Sequence, residues 1–203
     1  MIKAISFDLD GVYFQNGKTN FIFNLMNLGV SEKEAKRVFL QSDQMNKKYK
    51  LGKMSDIAFW TWAIHEWKLD KSVKDMVDLL ISGYKINKEA VNFVRTARKI
   101  GYKAVVCTNN FPARIHGLDD KFKFLRDFDS VVTSYDVGAC KPDIKIFEAL
   151  LNKTKVRPTE LIMADDDLKK LEGAKQIGIN VLLYQDFPKF KSDLERWGVE
   201  VPS

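Results

Sequence analysis

The chain has 203 residues, 45% of them hydrophobic and 30% charged, which is typical of a globular protein with one domain and an insertion or with two small domains. The sequence contains neither an apolar run of membrane-spanning length nor a signal-peptide pattern, so we expect a cytoplasmic protein. The net charge of +6 is spread along the chain, which indicates a solvated surface or attraction of an anionic ligand and argues against nucleic-acid and membrane partners.

The first dozen residues combine a short apolar run with two acids. Residues 2–7 predict a buried strand, and Asp8 and Asp10 follow it at a spacing that puts both side chains on one side of an extended backbone. Gly11 then permits a sharp turn beside the carboxylates. Two acids at the end of a buried strand repel each other unless a cation or a shared proton offsets their charge. The stretch therefore predicts a metal site or a proton-sharing pair.

From about residue 19 to 83 the spacing of apolar residues is helical. The apolar residues after Ser31 keep this spacing as far as Tyr49, which predicts one continuous helix there. The block contains no strand candidate, so we expect residues 16–84 to form a helical-bundle cap domain inserted after the first strand. Three serines stand where they can cap helices of this bundle: Ser31, Ser55 and Ser72.

After this block, helix and strand patterns alternate to the end of the chain. The predicted strands are residues 102–107, 130–134, 160–164 and 179–184, and the predicted helices are residues 88–100, 143–151, 168–177 and 187–197. The alternation predicts an α/β fold with a doubly wound, Rossmann-like parallel sheet of five core strands. Residues 1–15 and 85–203 would form this core.

Polar residues follow the predicted strands at their carboxyl ends. Thr108 and Asn109 follow the second strand, Asp165 and Asp166 the fourth, and Lys141 lies in a loop between them. In a parallel doubly wound sheet these ends meet at the edge where ligands bind. Oxygen ligands without His or Cys suit Mg²⁺, and a divalent ion with a lysine would offset the repulsion between an attacking carboxylate and a phosphate. The edge therefore predicts phosphoryl chemistry.

Four motifs at these positions together resemble the haloacid dehalogenase-like hydrolase superfamily, in the subgroup with a helical cap after the first motif. The turn at residues 52–55, which leads into an aromatic helix, resembles a branch that includes sugar-phosphate phosphatases such as α-D-glucose-1-phosphate phosphatase. The motifs are FDLDGV at residues 7–12, VCTNN at 106–110, SYDVGACKPD at 134–143 and IMADDD at 162–167.

The resemblance implies the roles of the acids. Asp8 would be the nucleophile and a Mg²⁺ ligand, and Asp10 would be the general acid and base, with its backbone carbonyl on the metal. Asp166 would complete the metal site, and Asp165 would bond a metal-bound water. Dehalogenases of the superfamily lack the second acid of the first motif and need no metal, so the presence of Asp10 favours phosphoryl transfer.

The resemblance also implies the ligand and the reaction. Thr108 and Asn109 would bind the phosphoryl group, and Lys141 would bridge it to Asp8. We expect Mg²⁺-dependent hydrolysis of a small phosphomonoester, a sugar or nucleotide phosphate, through an aspartyl-phosphate, by a monomer or homodimer. A sugar phosphomutase and a non-catalytic member that binds a phosphorylated ligand or a partner protein are the alternatives.

One residue departs from the family pattern. Members of the family usually have Asp or Asn four residues after Asp166, where this chain has Lys170. A cation there should weaken Mg²⁺ binding unless it points outward or pairs with Asp165 or Asp167. The sequence therefore predicts reduced but measurable activity.

Overall fold

The computed structural model describes residues 1–201, and a five-stranded parallel sheet forms its centre. The sheet has the order β5-β4-β1-β6-β7, and each neighbouring pair is parallel, which confirms the predicted doubly wound architecture. The first strand of the chain thus lies in the middle of the sheet. The strands in chain order are β1 (Ala4–Phe7), β2 (Phe14–Gln15), β3 (Lys85–Ile86), β4 (Lys103–Thr108), β5 (Ser130–Thr133), β6 (Leu161–Asp165) and β7 (Asn180–Leu183).

Helices cover both faces of the sheet and fill the segment between β2 and β3. None of the helices in residues 1–201 is long and apolar enough to cross a membrane. The α-helices are α1 (Gly17–Asn27), α2 (Glu32–Lys36), α3 (Asp56–Glu66), α4 (Val73–Ser82), α5 (Lys88–Lys99), α6 (Pro112–Phe122), α7 (Ser134–Val137), α8 (Ile144–Thr154), α9 (Leu168–Gln176) and α10 (Phe187–Arg196).

The central strands are buried on both faces, so they are almost wholly apolar. Along β1, Ile5 and Phe7 join the larger core cluster, whereas Ala4 joins a second cluster with residues of α8 and α9. The same alternation sends Cys107 of β4 into the second cluster, where burial raises the pKa of its thiol to about 12. This thiol is therefore unreactive at neutral pH.

The helical segment begins and ends at one place on the core. The strands β2 and β3 pair antiparallel, with Phe14 opposite Ile86, and so bring the two ends of the segment together. Its aromatic core continues into the sheet domain, because Phe111, just after β4, stacks on Tyr49 with 4.6 Å between the ring centroids. The division of the chain at residues 16 and 84 stays a prediction.

The continuous helix predicted from Ser31 to Tyr49 is wrong. Helix α2 ends at Lys36, and two short π-helical turns follow, separated at Ser42, whose backbone is extended. The Ser42 hydroxyl donates to the carbonyl of Val38 (2.6 Å) and accepts from the backbone N–H of Met45 (3.1 Å). It thereby ends one turn and caps the next without changing the apolar spacing. The three predicted serine caps are present, each accepting a bond from the backbone N–H three residues on: Ser31, Ser55 and Ser72.

Helix α6 has no counterpart among the predicted elements. It starts at Pro112, where the missing N–H of proline costs no hydrogen bond. Its side chains include Arg114, which lies at the site described below.

Gly52 fixes the contact between the helical segment and the core. Its φ is +69°, and a Cβ there would lie 2.3 Å from the backbone oxygen of Tyr135 in α7. Gly29 has a φ of +92° but no atom within 4 Å of its Cβ position. Both glycines have a positive φ, but only at Gly52 would a Cβ clash with another atom.

We predict that Gly29→Ala lowers the free energy of unfolding by about 1–2 kcal/mol, the usual cost of a left-handed non-glycine residue. Gly52→Ala should lower the free energy of unfolding by about 1–3 kcal/mol more than Gly29→Ala does, because a backbone oxygen must shift to admit the methyl group. Urea unfolding of both variants measures the difference. Equal losses would show that the helical segment does not rest on Tyr135 as described.

Candidate active site

Three carboxylates meet at the carboxyl ends of β1 and β6. Asp8 follows β1, and its backbone N–H bonds the carbonyl of Ala164 in β6 (3.0 Å), which brings it beside Asp165. One carboxylate oxygen from each of Asp8, Asp165 and Asp166 can be chosen so that all three lie within 4.8 Å of one another. Asp8 and Asp165 are buried, and Asp166 is exposed. Such a cluster requires positive charge, because buried carboxylates repel one another and lose hydration.

Lys141 supplies one of the compensating charges. Its Nζ lies 3.1 Å from Oδ1 of Asp8 and 2.5 Å from Oδ2 of Asp165, and it donates to the carbonyl of Cys107 at 2.8 Å. The side-chain amide of Asn109 holds the backbone of Lys141 in place, accepting from its N–H (2.7 Å) and donating to its carbonyl (3.0 Å). The Lys141 side chain is fully buried, so this lysine is a fixed part of the site.

Lys170 supplies the second charge. Its Nζ lies 3.1 Å from Oδ1 of Asp166, 3.2 Å from Oδ1 of Asp165 and 3.6 Å from Oδ2 of Asp8. The ammonium thus points into the carboxylate cluster and pairs with Asp165, one of the partners that the sequence suggested. The other suggested partner, Asp167, instead caps α9 by accepting a bond from the backbone N–H of Lys169.

The lysines determine which groups are charged. Burial alone would raise the pKa of Asp8, but Lys141 and Lys170 outweigh it and hold that pKa below its ordinary value. For Asp165, burial and the neighbouring charge of Asp8 prevail over the lysines and raise its pKa. Burial works against both ammonium groups, but the surrounding carboxylates raise the pKa of each lysine. Asp8 is therefore ionised at neutral pH, and both lysines are protonated.

Asp10 lies in a different electrostatic environment. Two cations pair with its Oδ2, which lies 2.9 Å from Nη2 of Arg114 and 3.0 Å from Nζ of Lys18. The guanidinium of Arg114 is buried, and its Nη1 donates to the hydroxyl of Tyr84 at 3.0 Å. Burial alone would raise the pKa of Asp10, but Arg114 and Lys18 hold it far below its usual range. The two acids of the first motif therefore have separate cationic partners.

Arg114 and Lys18 were not among the predicted site residues. Arg114 is placed by the first turn of α6, where its Nε donates to Oδ1 of Asn110 at 2.5 Å. Pro112 is the sequence signal that could have revealed that turn. Lys18 lies in the first turn of α1, and its spacing in the sequence carries no corresponding signal.

The remaining predicted site residues lie at the same edge. Thr108 is buried at the end of β4, and its hydroxyl is 3.5 Å from the side-chain nitrogen of Asn110. Gly11 has a φ of +81°, and a Cβ there would lie 2.3 Å from Oδ2 of Asp166. The glycine thus lets the fourth motif approach the first, and a cleft of about 170 Å³ opens beside it, lined by Asp10 and Lys18 among others.

The chain belongs to the haloacid dehalogenase-like hydrolase family, whose family model matches residues 2–178. It is 26% identical over 214 residues to an uncharacterised protein of Dictyostelium discoideum, an alignment that covers 90% of this chain and 91% of the relative. It is 28% identical over 135 residues to the bifunctional epoxide hydrolase 2 of Sus scrofa. That alignment covers 62% of this chain but only 23% of the longer protein.

Solved structures share the fold. A HAD family enzyme of Bacteroides thetaiotaomicron, in complex with magnesium and inorganic phosphate, matches with a TM-score of 0.81 at 18% identity, over 94% of this chain and 99% of that one. A HAD phosphatase of Thermococcus onnurineus matches with a TM-score of 0.63 at 23% identity, over 91% and 86% of the two chains.

We predict that Arg114→Gln lowers the free energy of unfolding by about 3–5 kcal/mol, because it leaves the carboxylate of Asp10 without its buried partner. The matched control is Arg37→Gln. Arg37 pairs with Glu34 and Glu66 on the surface, where loss of the pairs should cost at most about 1 kcal/mol. Urea unfolding at neutral pH measures both, and similar small losses would contradict the structural role given to Arg114.

Proposed function

We propose that the protein is a Mg²⁺-dependent phosphatase that hydrolyses a small phosphomonoester through an aspartyl-phosphate on Asp8. The observation that carries the proposal is the separation of the two acids of the first motif. Asp8 is a buried, ionised carboxylate between two lysines, whereas Asp10 is held two residues away by Arg114 and Lys18. Each acid has its own nearest cations, so Asp8 can attack while Asp10 stays available to accept a proton.

The donor set of the site suits Mg²⁺. Asp8, Asp165 and Asp166 offer only carboxylate oxygens, which are hard ligands, and the atoms lie close enough to share one ion. Asp8 and Asp166, with the backbone carbonyl of Asp10, would hold the metal, and Asp165 would support it from the same cluster. Bound Mg²⁺ would supply positive charge against the repulsion between a carboxylate and the phosphoryl oxygens.

Asp8 would carry out the first half of the reaction. Its carboxylate oxygen forms a bond to phosphorus as the bond from phosphorus to the leaving oxygen breaks. Asp10 is ionised in the free protein, so it would relay to the leaving oxygen a proton that the substrate brings as a phosphate monoanion. Lys141, 3.1 Å from Asp8, would neutralise charge on the phosphoryl oxygens. Thr108 and the backbone N–H of Asn109 would position the phosphoryl group, since the side-chain amide of Asn109 is bonded to Lys141.

Asp10 would carry out the second half. Water attacks the aspartyl-phosphate, the bond between phosphorus and Asp8 breaks, and the proton of water passes to the Asp10 carboxylate. The two cations that keep Asp10 ionised suit this step, because a base must be unprotonated to accept the proton. Arg114 would also hold the carboxylate in position through both half-reactions.

The proposed substrate is a small metabolite such as a sugar or nucleotide phosphate. The cleft beside Asp10 has a volume of about 170 Å³, and Lys18 contributes a positive charge to its lining. Such a cleft suits a small anionic substrate better than a macromolecule. Within the proposal, the protein works as a monomer or homodimer without a nucleic-acid or membrane partner, and the phosphomutase remains the alternative enzyme class.

A panel of phosphorylated sugars and nucleotides, assayed for phosphate release with Mg²⁺, tests the proposed function. We expect turnover by the wild type and a loss of about 10³-fold or more in Asp8→Asn, because the amide cannot attack phosphorus. The matched control is Asp167→Asn, which changes the helix-capping acid of the same edge and should leave turnover within about twofold. Full turnover in Asp8→Asn would contradict the covalent mechanism.

A second candidate is a non-catalytic member that binds a phosphorylated ligand. The position of the Lys170 ammonium among the three carboxylates favours it, because that ammonium already provides the charge that a metal would supply. Absence of turnover over the whole panel, combined with retained binding of a phosphorylated compound in calorimetry, would support this candidate over the phosphatase.

A further inference from the structure

We propose that Lys170 is a built-in counter-ion of the carboxylate cluster, and that Mg²⁺ enters this site by displacing its ammonium. The inference rests on the proposed function in one respect, namely that Mg²⁺ is the metal of the site. It adds that the metal-free protein has its own cation in the cluster, and that metal binding is an exchange between two cations.

The two lysines divide the oxygens of the buried acids between them. Lys141 lies against Oδ1 of Asp8 and Oδ2 of Asp165. Lys170 lies against the opposite oxygens, Oδ2 of Asp8 and Oδ1 of Asp165, and adds Oδ1 of Asp166. Each oxygen of the two buried acids therefore faces an ammonium group. A metal that avoided every oxygen contacted by Lys170 would have to use the two oxygens that face the buried Lys141, together with Oδ2 of Asp166.

The formal charges of the cluster also favour exchange of Lys170 for the metal. The three carboxylates carry a formal charge of −3, and the two ammonium groups carry +2, which leaves −1 in the cluster. A divalent ion added beside both lysines would raise the local charge to +1 and would lie within a few ångströms of two cations. Like charges at that distance repel strongly in a partly buried site. Binding of the metal is therefore favoured by departure of one lysine.

Lys170 is the lysine that can leave. Its side chain is 25% exposed, whereas that of Lys141 is fully buried. Lys170 lies in the first turn of α9, on a flexible four-carbon stem that can swing toward solvent. Lys141 is held by a backbone carbonyl and by the side chain of Asn109. We therefore assign the exchange to Lys170 and a permanent role to Lys141.

Isothermal titration calorimetry with Mg²⁺ tests the exchange without any substrate. Lys170→Asn should bind Mg²⁺ at least about tenfold more tightly than the wild type, because no ammonium has to be displaced. The matched control is Lys169→Asn, which removes the same charge from the neighbouring exposed position of α9 and should bind within about twofold of the wild type. Equal affinity of Lys170→Asn and the wild type, or no Mg²⁺ binding by either, would overturn the proposal.

Thermal unfolding in a chelator and in excess Mg²⁺ provides a second readout. We expect the melting temperature of the wild type to respond weakly to Mg²⁺, since its cluster is already neutralised in part. Lys170→Met, which keeps the apolar stem and removes the charge, should melt lower in the chelator and regain stability with Mg²⁺. A variant that melts like the wild type in both conditions would contradict the counter-ion role.

The two measurements separate this proposal from the proposed function. If no phosphorylated compound is hydrolysed but Lys170→Asn binds Mg²⁺ more tightly, the counter-ion role stands and the phosphatase fails. If the wild type hydrolyses a phosphomonoester with Mg²⁺ and both proteins bind the metal equally, the phosphatase stands and the exchange fails.

Discussion

The mutual repulsion of buried carboxylates is the constraint on which this site depends. Pairing of β1 with β6 brings Asp8 and Asp165 together, and two ammonium groups make that arrangement stable. A close contact between α9 and the loop that carries Lys141 places both lysines at the site. A Cβ at Gly173 in α9 would lie 1.9 Å from the carbonyl oxygen of Pro142, so α9 packs directly on the loop that carries Lys141. The same helix carries Lys170 one turn earlier.

A second charge centre connects Asp10 to the helical segment. Lys18 comes from the first turn of that segment, and Tyr84 comes from just after its last helix. The ring of Tyr84 packs where a Cβ of Gly17 would lie, at 2.2 Å, so the two ends of the segment are in close contact beside the acid. Arg114, bonded to both Asp10 and Tyr84, completes this centre. Asp10 is thus tied to both ends of the helical segment.

The sheet and the gathering of the motif residues at its edge were predictable, because alternating apolar strands and helices leave few arrangements and put strand ends together. The break in the helix at Ser42 was not predictable, because the hydrogen bonds of its hydroxyl interrupt the helix without disturbing the apolar spacing. The partners of Asp10 were not predictable either, because Arg114 and Lys18 reach it from elements far apart in sequence. The departure at Lys170 was visible as a residue type, but only three-dimensional contacts show that its ammonium points inward.

The most direct test of the proposed mechanism is to trap the aspartyl-phosphate. Asp10→Asn, which should form the intermediate and hydrolyse it slowly, would be mixed with p-nitrophenyl phosphate and excess Mg²⁺, quenched, reduced with borohydride and digested for mass spectrometry. Reduction converts a phosphorylated aspartate into homoserine, and we expect this change at Asp8. A variant that releases p-nitrophenol while Asp8 remains unmodified throughout the reaction would contradict the claim that this carboxylate is the nucleophile.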